Sequence, residues 1–230
     1  MNGQKGKKRI VFDGQGVGLA DSQSTSTRNR STHRYIYLLS PAFSAGRRAQ
    51  MLVNPQAEFE LARRLRTSGI LLAEAFVFMS PLYFRGKLAY AAVFSRETAG
   101  IPGTLLITPS RGLLPPETVV GIADLQEICG ERIVAKNPKY TDPLERDLRA
   151  LSATIGQDSG VVLLGSIATT KYVPLLVDAL GERLFVPHDF IGLGNMSRGA
   201  LLLRCSREKS ELKYVRVTEV LRREQSRMKR

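Results

Sequence analysis

Tryptophan is absent from this 230-residue chain, and cysteine and histidine occur only twice each. A tetrahedral zinc site would have to gather nearly all of His33, Cys129, His188 and Cys205. No such centre is expected, which argues against the zinc-dependent deaminases that act on bases. A magnesium site made of carboxylates stays open. The two cysteines have no CxxC partner and lie far apart, so they read as free thiols of a reducing compartment rather than a disulfide. Long apolar runs are also missing: nothing approaches the roughly 18 residues of a membrane span. The stretch after the first lysines, Ile10 to Phe12, is too short for the core of a signal peptide. The expectation is a cytoplasmic protein without a membrane partner.

Basic residues are what the chain has in excess, with 34 Lys and Arg against 21 Asp and Glu and a net charge of +13. The excess sits at the ends. Residues 1–34 hold seven cations against two acids, and residues 204–230 hold ten against four, leaving 17 against 15 between them. Cationic ends attract phosphates through salt-sensitive, sequence-independent contacts, so nucleic acid, DNA before RNA, is the expected partner. The alternative is that basic ends only keep the protein in solution.

From Gly14 to His33 the chain is rich in Gly, Ser, Thr and Arg and nearly devoid of apolar residues, so burial cannot offset the entropy of ordering it. The expected organisation is a flexible basic arm over 1–34, an α/β core over 35–217 and a basic tail over 218–230. The triplet Gly14, Gly16, Gly18 has GxGxG rather than GxGxxG spacing and no amphipathic helix after it, which excludes a dinucleotide site there.

Beyond Arg34, short apolar runs alternate with amphipathic stretches, the pattern of βα units around one mostly parallel sheet flanked by helices. Strands are predicted at Tyr35 to Leu39, Ala75 to Met79, Thr104 to Thr108, Val161 to Leu164 and Arg183 to Val186. Helices are predicted from Asn54-Pro55 to Gly69, over Gly86 to Phe94, from an Asp142-Pro143-Glu145 start to Gly156, and over Thr170 to Leu180 closed by Gly181. Ala200 to Arg204 and Leu212 to Val217, separated by the polar turn Ser206 to Ser210, read as a C-terminal hairpin at one sheet edge.

The predicted strands finish in polar turns: Ser40-Pro41, Ser80-Pro81, Thr108-Pro109-Ser110, Gly165-Ser166 and Pro187-His188. In an open parallel sheet such ends share one rim, where ligands bind. Tyr83, Arg85 and Lys87 near this rim combine a stacking face with cations suited to nucleic acid. Gly165 to Lys171 lacks the spacing of a triphosphate-binding loop, yet Ser166 and Lys171 could hold one phosphate at a helix start. Pro187 to Gly199 is the densest polar stretch: His188, Asp189 and Asn195 are the candidate catalytic groups, and Ser197 and Arg198 candidate nucleic-acid contacts.

Over residues 35–203 this layout resembles the uracil-DNA glycosylase-like superfamily, with Pro187-His188-Asp189 echoing its late His-containing loop and only His188 matched by position. The early turn Ser40-Pro41-Ala42 lacks the acid that the family often carries. The resemblance implies excision of a flipped base without metal or cofactor, Asp189 balancing the sugar cation and His188 and Asn195 stabilising the departing base. Two other readings remain: a noncatalytic DNA- or RNA-binding module, and an enzyme acting on free nucleosides or nucleotides.

Overall fold

The structure, a computed structural model, describes residues 34–228. The predicted N-terminal arm up to residue 33 and its glycine triplet lie outside the described residues. In chain order the elements are β1 (Arg34–Leu39), α1 (Arg47–Val53), α2 (Glu60–Thr67), β2 (Ile70–Leu71), α3 (Leu72–Met79), α4 (Pro81–Phe94), β3 (Thr104–Ile107), β4 (Leu113–Leu114), β5 (Val119–Val120), α5 (Ile122–Gly130), α6 (Pro138–Thr154), β6 (Ser159–Leu164), α7 (Val173–Leu180), β7 (Leu184–Pro187), α8 (Asn195–Glu208), β8 (Tyr214–Arg216) and α9 (Val217–Met228). Among the described residues no helix is long and apolar enough to cross a membrane.

The fold is α/β, with one six-stranded sheet in the order β4-β3-β1-β6-β7-β8. The inner strands β3, β1, β6 and β7 run parallel, and β4 and β8 add antiparallel edges. All six residues of β6 and residues 36–39 of β1 are buried, as expected of strands covered on both faces. Helices α4 and α8 pack on each other, as do α6 and α7. From β1 the chain moves to β3 on one side, whereas β6 flanks β1 on the other. The connections leaving β1 and β6 therefore run in opposite directions, the arrangement that in open parallel sheets makes a ligand crevice at the strand ends.

Four of the five predicted strands form. Ala75 to Met79 instead lies in α3, whose buried Leu72, Ala75, Phe76 and Met79 recur at helical spacing. A helix enclosed by protein is apolar nearly all round, and a short apolar run does not distinguish it from a buried strand. Its start is fixed by Glu74, which accepts from the Leu71 amide at 2.9 Å. Ser80-Pro81 thus joins two helices rather than ending a strand.

Ala200 to Arg204 likewise sits inside α8, not in a hairpin strand, and the antiparallel edge is made by β8 pairing with β7. All four predicted helix starts move: α4 begins at Pro81 rather than Gly86 and α7 at Val173 rather than Thr170, and the other two shift as follows. Asn54 ends α1, its side chain accepting from the Gln56 amide at 2.9 Å, and α2 begins at Glu60. Helix α6 starts at Pro138, capped by Asn137, so Pro143 falls inside it.

Helices α4 and α8 meet backbone to backbone, since a Cβ on Gly86 would stand 2.7 Å from the carbonyl oxygen of Gly199. Overpacking of this kind costs about 1–3 kcal/mol. It outweighs the ~1 kcal/mol that alanine gains over glycine within a helix. Gly86→Ala should therefore lower the urea midpoint; a midpoint at or above wild type would mean that the crossing is not this close.

Candidate functional site

Lys87 lies on the inner face of α4 with Phe84 and Ala91, and it is only 1% exposed. Its Nζ donates to the carbonyl of Ser40 at 2.6 Å and stands 3.0 Å from Ser40 Oγ. Ser40 is the first residue beyond β1, held at the mouth of the crevice by its amide bond to Leu164 O at 3.2 Å. Among the described residues Lys87 takes part in no ion pair. A buried, unpaired ammonium costs several kcal/mol. The faces of Tyr83 and Phe84, 4.6 and 4.5 Å from Nζ, return only about 0.5–2 kcal/mol. Desolvation wins, and it holds the amine well below the usual lysine range.

The other lip of the crevice follows β6. Tyr172, just before α7, folds back so that its hydroxyl accepts from the Ser166 amide at 3.1 Å and donates to the Ser166 carbonyl at 3.0 Å. The same hydroxyl interacts with Ser40, which opposes the rise that burial gives to its pKa. Gly165 permits this approach: a Cβ there would come 2.8 Å from Ser40 Cβ and 3.0 Å from the Tyr172 hydroxyl.

Arg198, near the start of α8, is 7% exposed. Its Nε and Nη2 donate to one acceptor, the carbonyl of Phe190 after β7, at 3.2 and 2.8 Å. It too is in no ion pair among the described residues, and its charge acts on both Tyr83 and Tyr172. The Tyr140 hydroxyl, at the start of α6, is buried without a hydrogen-bond partner among the described residues, whereas that of Tyr83 lies against Arg198, and each phenol feels Tyr172. Ser40, Lys87, Ser166, Tyr172, Tyr83 and Arg198 thus form a buried polar cluster where β1, β6 and β7 end.

The predicted site residues divide between this cluster and the surface. Tyr83, Lys87 and Arg198 are inside, and Ser166 is half-buried. Burial removes Lys87 and Arg198 from the phosphate-gripping role expected of them, because a nucleic-acid backbone does not reach an enclosed side chain. Arg85, Lys171, His188, Asp189, Asn195 and Ser197 are exposed. Asp189 and Ser197 border an open groove of about 660 Å³ with Ile191, Leu193 and Arg204. Ser40, Tyr140 and Tyr172 were not predicted as site residues. Spacing carried a signal for Lys87, since Phe84, Lys87 and Ala91 share one helical face, but nothing local marked Tyr140.

A second polar cluster ties β8 to the core. The Tyr214 hydroxyl lies 2.8 Å from that of Tyr37 and 2.6 Å from that of Tyr90. Tyr37 and Tyr214 each donate to Glu211 at 3.1 Å, and the Leu212 amide donates to Tyr90 at 2.9 Å. Burial is the largest cause raising each of these three phenols, Tyr90 to about 12.

All seven tyrosines of the chain are raised above their ordinary value of about 10. Above that pH the unfolded chain loses phenolic protons that the folded chain keeps, so stability falls as pH rises. Lys87, whose shift is downward, works in the opposite direction but is one group against seven. Phenolate absorbance at 295 nm should appear together with unfolding well above pH 10; independent titration near pH 10 in folded protein would contradict the burial described.

No family model matches the chain, nor does any curated protein or solved structure, so what the protein does must be read from its buried cluster.

Proposed function

We propose that the protein binds a small anionic molecule, a phosphate monoester or a carboxylate, in the crevice between the ends of β1 and β6. The observation that carries this reading is Arg198: a guanidinium does not shed its proton, yet this one is buried against the Phe190 carbonyl and ring and the Tyr83 hydroxyl, with no carboxylate paired to it among the described residues. An anion would supply the missing charge. The unpartnered hydroxyl of Tyr140 would serve as a further donor, and the position is the one where open parallel sheets take ligands.

Glycerol phosphate and succinate are suitable probes. Either should raise the unfolding temperature at an ionic strength matched with chloride, with a gain of about 2.7 kcal/mol at a hundred times Kd. Arg198→Gln should abolish the effect. If neither anion stabilises wild-type protein beyond chloride, the reading is wrong.

A second reading concerns the outer surface. Arg204, Arg207, Lys209, Lys213, Arg216, Arg222 and Arg223 are exposed along α8, β8 and α9, although Arg216 and Arg222 reach Glu182 at 3.7 and 3.3 Å. They support a nucleic-acid interface on this side. His188, Asp189 and Asn195 are exposed, and Asp189 borders an open groove, so they lend base excision no support of the kind an enclosing pocket for a flipped base would give. Replacing Lys209, Lys213 and Arg223 with glutamine should reduce the salt slope of duplex DNA binding by about 0.9 for each phosphate no longer neutralised. An unchanged slope would remove this surface from the account.

A further inference from the structure

We infer that Ser40 and Lys87 are a nucleophile and its base, transferring an acyl group from an ester that carries a second, anionic group. The inference rests on the anion reading for the substrate's charge, but the pair itself rests on geometry. Nζ is 3.0 Å from Ser40 Oγ and is fixed there by its 2.6 Å bond to the Ser40 carbonyl. An amine that donates one hydrogen to that carbonyl and carries no proton on its lone pair can receive the hydroxyl proton, and burial supplies that state. Among the described residues no carboxylate is paired with Lys87 to restore its charge. Ser40 retains 6% exposure at the end of β1. Tyr172, which interacts with Ser40, also feels Arg198, linking the nucleophile to the charge that would hold the substrate's anionic end.

In the reaction, Oγ adds to the carbonyl carbon of the ester while its proton passes to Nζ. The bond to the leaving alcohol then breaks, and Nζ returns the proton to that oxygen. Water cleaves the Ser40 ester in the same way: Nζ takes a proton from the water and gives it back to Oγ as the acid departs. No metal, oxidant or reductant enters the balance. The Tyr172 hydroxyl would donate to the oxyanion formed in both steps by turning its hydrogen away from the Ser166 carbonyl.

The test uses the intact protein and an uncharged alkyl fluorophosphonate, whose phosphorus Oγ attacks with loss of fluoride. Peptide mass spectrometry should place the adduct on Ser40, and its rate should rise with pH to a plateau through a midpoint well below the roughly 10.4 of an ordinary lysine. Ser40→Ala should abolish labelling, and Lys87→Met should slow it about 100-fold or more. Should Lys87→Met not fold, the wild-type pH profile decides. Folded wild-type protein that is unlabelled at Ser40, or labelled without that low midpoint, overturns the inference. Turnover of nitrophenyl succinate in preference to nitrophenyl acetate, abolished in Arg198→Gln, tests the anion reading separately. Labelling of Ser40 without that preference removes the anionic substrate and keeps the pair; anion binding without labelling does the reverse.

Discussion

The burial of one amine organises the end of the sheet where β1 and β6 stop. Lys87 reaches through the core from α4 to the first residue past the central strand, and its bond to the Ser40 carbonyl sets where β1 stops and which way Ser40 points. A lysine brought so far from water is costly unless it sheds its charge or meets an anion. Here it meets two aromatic faces, a carbonyl and a hydroxyl, none of which replaces lost hydration. Folds retain such groups for chemistry more readily than for stability, and strongly displaced lysines concentrate at functional sites.

The rest of the architecture makes this placement possible. Because β1 sends the chain to one side and β6 lies on the other, the chain beyond Ser40 and that beyond Ser166 leave the sheet on separate paths. Gly165 lets Tyr172 come close to Ser40. Gly86 and Gly199 let α8 lie directly against α4, which brings Arg198 toward the cluster containing Tyr83 and Lys87. The tyrosine network around Glu211 anchors β8 on the same helix, one turn beyond Lys87. Positions that look unrelated along the chain thus converge through two close backbone approaches and one crossover.

The sheet was largely legible in the sequence, because β1, β3, β6 and β7 are apolar runs ended by polar turns. The misread segments, Ala75 to Met79 and Ala200 to Arg204, are parts of buried helices whose short apolar stretches mimic strands. Lys87, Arg198, Tyr83 and Ser166 were recognisable as functional candidates but not as enclosed ones. Local sequence shows a cation beside aromatics without showing whether water reaches it. The partnership with Ser40 was not legible: it joins residues 47 apart and depends on how α4 returns across β1. Tyr140 gave no local sign, since its isolation is a property of packing.

The state of the Lys87 amine at neutral pH is the point on which the account turns. Lysines labelled with carbon-13 at Cε report ionisation directly, and Lys87→Arg identifies the resonance. The account predicts that this resonance is that of a neutral amine at pH 8, titrating well below the other lysines, and that it moves when an anion fills the crevice. A Lys87 that stays charged until about pH 10, as an exposed lysine does, would contradict it.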